Sequence, residues 1–373
     1  MKRVALVFLL FALISRSAAA QEKRFNLTLE PAFVNMYGND TRVGDTFTFS
    51  LSGGLADALY IFYGVSYKPI VLSPSGEMAL RWGASYSFGK WSLGANGWGY
   101  RSLTEESGRV ESSPVGDSVS GVRMWDYTLM PVDNQYEPSG FSSVLWNASN
   151  EFSMWSASLY AERSIVGNYR SSFSLGVGVR FAEMANLRIE GQEQTALIYG
   201  AGGNLVNNIS LQGWGAVDLG VFYGPMIRFS GRTSFGRLRL SGDISQSFIF
   251  GSVPYSGNWR DVDDIGMGSG EIGEPVQNEG RLAYLEGNFP VESRERGSMK
   301  VAEINLRAST DLLSVLGVRF SVGVGGFFSL FGEAPVAPRW SAGTWSFEGG
   351  SGWRFEKRDL TFSGVSVNLG ASF

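Results

Sequence analysis

Hydrophobic and polar residues alternate with a period of two along much of this sequence. The stretch from Leu360 to Phe373 shows the pattern most clearly, because Val365, Val367 and Leu369 are separated by small or polar residues. A strand with this pattern has one apolar face and one polar face, so it suits the boundary between an oily and a wet phase. We expect this strand to pair with the first strand, since pairing would remove an exposed edge.

Segments with the same alternation recur from Phe25 onward. In the segment that begins at Leu238, leucine and isoleucine alternate with arginine, serine and aspartate. After residue 20 there is no uninterrupted apolar run of the roughly 20 residues that a membrane-spanning helix needs. A protein that crosses a membrane without such a helix satisfies its backbone as a closed barrel. The pattern therefore predicts an all-β fold, a transmembrane antiparallel β-barrel with hydrocarbon outside and polar atoms inside.

Short and long connections alternate between the predicted strands. This arrangement is typical of barrels with short periplasmic turns and long extracellular loops. Counting the segments gives about 12 strands, and 14 is the alternative if the irregular segment 122–152 enters the wall. Short turns are expected at Gly89-Lys90, Gly167-Asn168, Ser234 to Gly236 and Leu312 to Ser314, and long loops at Ser102 to Gly121, Ala185 to Leu211, Pro254 to Ser298 and Gly332 to Lys357.

The last strand resembles the closing strand of bacterial outer-membrane β-barrels, in which a terminal aromatic residue and alternating apolar residues act as the assembly signal. The resemblance implies that Phe373, Leu369 and Val367 form this signal. It also implies contact with outer-membrane lipid and lipopolysaccharide, with the barrel-assembly machinery and with periplasmic chaperones. In addition, Ser174 to Glu190 and the glycine-rich strand pair after it are similar to the Legionella-type major outer-membrane protein family, which implies a porin-like function.

The first twenty residues have the features of a secretory signal peptide. Lys2 and Arg3 precede an apolar run from Val4 to Ile14, and three alanines before Gln21 offer a cleavage site. We therefore predict a signal peptide at 1–20, a single barrel domain at 21–373 and localisation in the bacterial outer membrane.

Composition excludes several kinds of chemistry. The sequence has no histidine and no cysteine, which excludes Ser-His-Asp hydrolysis, histidine-bound zinc and thiolate sites. A pair of carboxylates could still act as general acid and base, but inward charges of both signs are also usual in barrels. The net charge of −4 gives no indication of nucleic-acid binding. We expect no enzymatic activity, no cofactor and no metal.

The candidate functional residues are the charges on the predicted inner face. If the lumen is open, these charges would set the selectivity of a passive, porin-like channel for small polar solutes or ions. If it is filled, they would form ion pairs inside a non-conducting barrel that anchors extracellular loops. The sequence slightly favours the channel. The predicted inward residues are Glu30, Lys68, Arg81, Glu162, Arg180, Asp218, Arg228, Arg239, Asp243, Glu303, Arg307 and Arg319.

Overall fold

The computed structural model describes residues 24–52, 61–74, 76–111, 118–124, 127–129, 143–167, 170–199, 205–269, 277–336 and 356–373. The predicted signal peptide lies outside these residues. Every regular element within them is a β-strand, and none of them forms a helix long and apolar enough to cross a membrane. The strands are β1 (Arg24–Tyr37), β2 (Thr41–Ser52), β3 (Ile61–Leu72), β4 (Glu77–Phe88), β5 (Trp91–Glu111), β6 (Ser118–Met124), β7 (Tyr127–Leu129), β8 (Ser143–Gly167), β9 (Ser171–Tyr199), β10 (Leu205–Phe235), β11 (Leu238–Ser269), β12 (Gln277–Val315), β13 (Val318–Val336) and β14 (Glu356–Ser372).

Ten of these strands form a closed antiparallel ring in the order β1-β14-β13-β12-β11-β10-β9-β8-β5-β4. The last strand pairs with the first, with Leu369 opposite Leu29. Beyond this ladder, the backbone N–H groups of Phe25 and Phe373 donate to each other's carbonyl oxygens at 3.3 and 2.9 Å. The predicted all-β class and the closure of the ring by the last strand are therefore confirmed.

The expected count of about 12 wall strands is not confirmed. Strands β2 and β3 were counted in the wall, but β1 and β4 pair directly, from Arg24 opposite Ser87 to Val34 opposite Glu77. No place remains between them, so β2 and β3 lie in a second sheet of order β3-β2-β6-β7. The ambiguous segment 122–152 is divided: its first part lies in this second sheet and its last part begins the wall strand β8.

The connections also differ from the expected lengths. Much of the two longest predicted loops, 185–211 and 254–298, is paired strand, since β9 pairs with β10 as far as Leu205 opposite Tyr199. The turn between β12 and β13 lies at Leu316-Gly317, not at Leu312 to Ser314. Both turn residues have positive φ, 51° and 82°, which is the geometry of the tightest hairpin turns.

The stagger of the ring fixes its width. A row of paired residues that leaves β11 at Phe250 and runs once around the ring returns to β11 at Leu238, twelve residues away (250 − 238). For ten strands about 4.8 Å apart, this stagger gives a tilt of roughly 40° and a radius of roughly 10 Å. Such a ring is narrow enough for side chains to reach its axis.

The outer face of the ring is apolar over a broad belt. Outward residues such as Leu29, Val367 and Leu369 are 47%, 49% and 50% exposed. With the tilt above, the thirteen residues from Leu238 to Phe250 span about 30 Å along the axis, close to the thickness of a bilayer core. Both edges of this belt carry exposed aromatic residues, among them Trp91 at the side of the short turns and Phe248 and Phe250 at the other.

Candidate functional site: the filled lumen

Along five of the ring strands, the inward side chains change from polar to apolar. On β1, Glu30 lies nearer the short turns, and Ala32, Val34 and Met36 follow it on the same face. The same order recurs on β9, β10, β11 and β12. The lumen therefore has two layers, a charged layer toward the short turns and an apolar layer beyond it.

Eight residues of the charged layer, of which Arg307 is half-buried and the other seven are buried, form one continuous ion-pair network in which positive and negative groups alternate. In order along the network they are Arg180, Glu303, Arg81, Glu30, Arg307, Asp243, Arg228 and Glu162. They come from seven of the ten ring strands: β1, β4, β8, β9, β10, β11 and β12. The ion-pair network thus crosses the lumen and ties opposite walls together.

The first half of the network is centred on Arg81. Its guanidinium lies 3.4 Å from Glu30 and 3.5 Å from Glu303. Glu303 also pairs with Arg180 at 2.9 Å, and Glu30 pairs with Arg307 at 2.5 Å. Both carboxylates are therefore held by two arginines each.

The second half of the network ends at Glu162. Arg307 lies 3.8 Å from Asp243, and Arg228 pairs with Asp243 at 3.0 Å and with Glu162 at 2.7 Å. Ser230 also donates a hydrogen bond to Glu162 at 3.1 Å. Within the described residues, Arg228 is the one cation that pairs with Glu162, so this end of the network depends on a single arginine.

Neutral groups complete the charged layer. The amide of Asn305 accepts a hydrogen bond from Arg81 and donates to Asp243 at 2.8 Å and to Glu303 at 3.0 Å. Aromatic rings cover two of the arginines. The guanidinium of Arg81 lies 4.2 Å from the ring centroid of Phe327, and that of Arg228 lies 4.1 Å from the ring centroid of Tyr160.

The four arginines and four carboxylates give this network a formal net charge of zero (4 − 4). Burying charge is costly unless each charge is paired and hydrogen-bonded. The alternation meets this condition, because six of the eight groups lie next to two opposite charges. The arrangement is that of a packed ionic core with no excess of either sign.

The apolar layer is built around a cluster of aromatic rings. The ring of Phe362 lies 4.9 Å from that of Trp98, 5.5 Å from Tyr100 and 5.8 Å from Phe331, measured between centroids. Phe331, Phe362 and Phe222 are fully buried, at 0% exposure. The prediction that polar atoms line the inside along the whole wall is therefore wrong for this half of the barrel.

A small vestibule remains at the end with the short turns. Its volume is about 270 Å³, and serine, threonine and asparagine side chains such as Thr28, Ser85 and Asn96 line its walls. Arg228 and Glu162 of the ion-pair network form part of its lining. The vestibule thus ends at the charged layer.

Four predicted inward residues lie outside the ion-pair network. Arg239 and Arg319 lie 2.5 and 3.9 Å from Asp311, close to the short turns. Lys68 was expected in the lumen but lies exposed on β3 of the second sheet, outside the ring. Asp218 lies on β10 opposite Ala185, beside a register irregularity.

Sequence reasoning did not single out Asn305, Tyr160 or Asp311. Asn305 carried a usable signal, since it shares the inward face of β12 with Glu303 and Arg307. The contact of Tyr160 with an arginine had no such signal in the sequence. It depends on an arginine of β10 that lies 68 residues further along (228 − 160).

No family model and no curated protein matches this sequence. Among solved structures, the outer membrane protease OmpT from Escherichia coli is similar at 10% identity and a TM-score of 0.39, over 96% of this chain and 99% of that chain. The Pseudomonas putida toluene transporter TodX is similar at 10% identity and a TM-score of 0.22, over 96% and 92%. A Pseudomonas aeruginosa FadL homologue has 9% identity and a TM-score of 0.20, over 94% and 90%. These comparisons do not show the resemblance to the Legionella-type family.

Proposed function

We propose that this protein is a bacterial outer-membrane β-barrel that does not conduct ions passively and that anchors β-structure on the extracellular side. The observation that carries the proposal is the filled lumen. Charged groups alternate across it in one layer, and aromatic rings at 0% exposure pack in the next. This corresponds to the alternative that the sequence left open, and the packing favours it over a passive channel.

The outer face supports insertion into a membrane. The belt of exposed leucine, valine, isoleucine and phenylalanine is far larger than the apolar patches that soluble monomers usually expose. The ring also has no free edge, because β1 pairs with both β4 and β14. A closed ring satisfies its backbone internally, which hydrocarbon requires.

The width of the ring supports a closed lumen. With a radius of roughly 10 Å, arginines from facing walls can meet carboxylates near the axis. Arg81 of β4 does so with Glu303 of β12, which lies four places away around the ring. An ion that crossed would have to separate these pairs and then pass the aromatic cluster around Phe362.

The parts of the ring strands that extend past the apolar belt, together with the second sheet, are what the barrel would present outside the cell. β11 continues nineteen residues past Phe250, to Ser269 (269 − 250), and stays paired with β12 and β10 over most of this length. The second sheet adds four further strands. Along the sequence, β2 and β3 connect β1 to β4, and β6 and β7 lie between β5 and β8. We place this material outside the cell because the short turns are typical of the periplasmic side. The assembly partners implied by the closing strand, namely the barrel-assembly machinery and chaperones, remain part of the proposal.

The test is ion conductance of the full-length protein in planar lipid bilayers. We expect no steady current from the unmodified barrel, with insertion verified separately by its heat-modifiable electrophoretic mobility. Removing two rings of the aromatic cluster together with one network arginine, in the triple variant Phe331→Ala, Phe362→Ala and Arg180→Ala, should produce a measurable leak. Discrete, steady conductance by the unmodified protein would contradict the proposal and would favour a channel for small polar solutes or ions.

A further inference from the structure

Positive charge is concentrated at the end of the barrel that carries the short turns. We define this rim as residues 24–25, 88–91, 163–167, 170–173, 232–239, 311–320 and 372–373. Its cations are Arg24, Lys90, Arg163, Arg170, Arg232, Arg237, Arg239 and Arg319, and its one acidic side chain is Asp311. The side chains of the rim therefore carry +7 (8 − 1), whereas the whole sequence carries −4, which leaves −11 for all other residues (−4 − 7).

The cations are exposed and distributed around the ring. Seven of the eight are exposed, and Arg239 is half-buried beside Asp311. Arg24 lies on β1, Lys90 between β4 and β5, and Arg237 between β10 and β11, so different sectors of the circumference contribute. Cations that bind one acidic protein would be concentrated on one side of the barrel, whereas the cations of this rim are distributed around its circumference.

The rim lies directly at the edge of the apolar belt. Arg163 points to the same outer face as Leu159, and its guanidinium lies 5.6 Å from the ring centroid of Trp91, which is 47% exposed. The rings of Phe25 and Phe373 meet at the same edge, 6.0 Å apart. Aromatic rings at this depth suit the boundary between hydrocarbon and headgroups, so the neighbouring cations lie where lipid phosphates would be.

We propose that this rim binds the phosphodiester headgroups of anionic phospholipids in the periplasmic leaflet. Basic residues next to a membrane surface are attracted to anionic lipid within about one Debye length, roughly 8–10 Å at moderate salt. The partner is a lipid because cations such as Arg24, Arg163 and Arg237 lie in separate sectors of the belt edge, where each lipid headgroup can reach one or two of them. Arg232, Arg239 and Arg319 lie on the lumen side and add to the positive potential of the rim without direct contact. The proposal rests on the membrane insertion proposed above.

The test uses the full-length protein in phosphatidylcholine vesicles with spin-labelled lipids, whose immobilised fraction reports association with the barrel. We expect labelled phosphatidylglycerol to associate about five-fold more strongly than labelled phosphatidylcholine, since one basic residue near the surface contributes roughly that preference. The preference should fall toward one at about 1 M salt, where screening acts within about 3 Å. A preference near one at low salt, with normal insertion, would overturn the rim proposal alone.

Matched variants locate the effect. The pair Arg163→Gln and Arg237→Gln should lower the preference to about three-fold, because two of the five cations within direct reach of a headgroup are lost. The pair Lys68→Gln and Arg109→Gln removes the same charge from exposed positions of β3 and β5 beyond the belt and away from the rim, and should change it little. Equal losses in both pairs would refute a site at the rim.

Two further arms distinguish the lipid site from a small-anion site and from a failure of insertion. Inorganic phosphate should displace no more lipid than chloride of equal ionic strength, and stronger displacement by phosphate would overturn the lipid assignment in favour of a small-anion site in the vestibule. Failure of the unmodified protein to enter pure phosphatidylcholine vesicles would instead contradict the membrane insertion on which the proposed function depends.

Discussion

Replacing Arg228 by methionine tests whether the ion-pair network holds the barrel together. Arg228 pairs with Glu162 at 2.7 Å and with Asp243 at 3.0 Å, and all three side chains are at least 89% buried. The substitution keeps most of the volume and removes the charge. Asp243 would retain Arg307 at 3.8 Å, but Glu162 would lose the one cation that pairs with it among the described residues.

The expected cost follows from that difference. Removing one partner of a buried pair typically costs about 3–5 kcal/mol, because the other charge stays buried without compensation. Arg81→Met should cost less, since Glu30 retains Arg307 at 2.5 Å and Glu303 retains Arg180 at 2.9 Å. Arg239→Met is the matched control. Its pair with Asp311 is 37% and 30% exposed, and exposed pairs contribute about 0–1 kcal/mol.

The assay is reversible unfolding by urea or guanidinium in lipid vesicles, followed by tryptophan fluorescence, with the free energy extrapolated to water. Adding Glu162→Gln to Arg228→Met should recover part of the loss, because the carboxylate that lost its partner becomes neutral. A double-mutant cycle then isolates the coupling between the two residues. If Arg228→Met costs no more than Arg239→Met, the view of the network as a packed ionic core is wrong.

Three further predictions address assembly, packing and turn geometry. Deleting Phe373 should impair assembly, measured as loss of the heat-modifiable folded band, because its backbone bonds with Phe25 close the ring; normal assembly would contradict the closing-strand assignment. Phe362→Ala should lower the free energy of unfolding by about 3–5 kcal/mol through a cavity in the aromatic cluster, and a loss below about 1 kcal/mol would show that the cluster is loosely packed. Gly317→Ala should cost about 1 kcal/mol because φ is +82°, whereas Gly99→Ala, which also has open space but ordinary φ, should be nearly neutral; similar losses at both positions would refute the role of φ.

Much of the wall could be predicted from local alternation, because a period of two encodes which side of a strand faces outward. That pattern placed Leu369 outside and Glu303 inside, and it identified β14 as the partner of β1. It could not exclude β2 and β3 from the ring, since an alternating hairpin looks the same in a wall strand and in a separate sheet. Only the direct pairing of β1 with β4 distinguishes the two cases.

The candidate site was predictable as a set of residue types but not as an arrangement. The alternation of inward and outward positions identified all eight members of the ion-pair network. The order in which they pair, however, depends on the stagger of the ring. Arg81 meets Glu303 across the lumen although 222 residues separate them in sequence. The apolar layer was missed for two reasons. Phe222 lies in a run where both faces are apolar, which obscures the period of two, and Met184 and Met299 adjoin the segments that were expected to be long loops.

The distribution of charge links the closed lumen to the orientation of the barrel. The ion-pair network is neutral (4 − 4), so it gives the interior of the ring at that level no net charge. The imbalance lies outside it, with +7 on the rim and −11 over all other residues. If the network only served solute selectivity, an excess of one sign in the lumen would be expected, since selectivity filters act through rings of like charge. A neutral network beside a strongly cationic rim instead supports the proposals that the inner charges hold the walls together and that the rim contacts lipid headgroups.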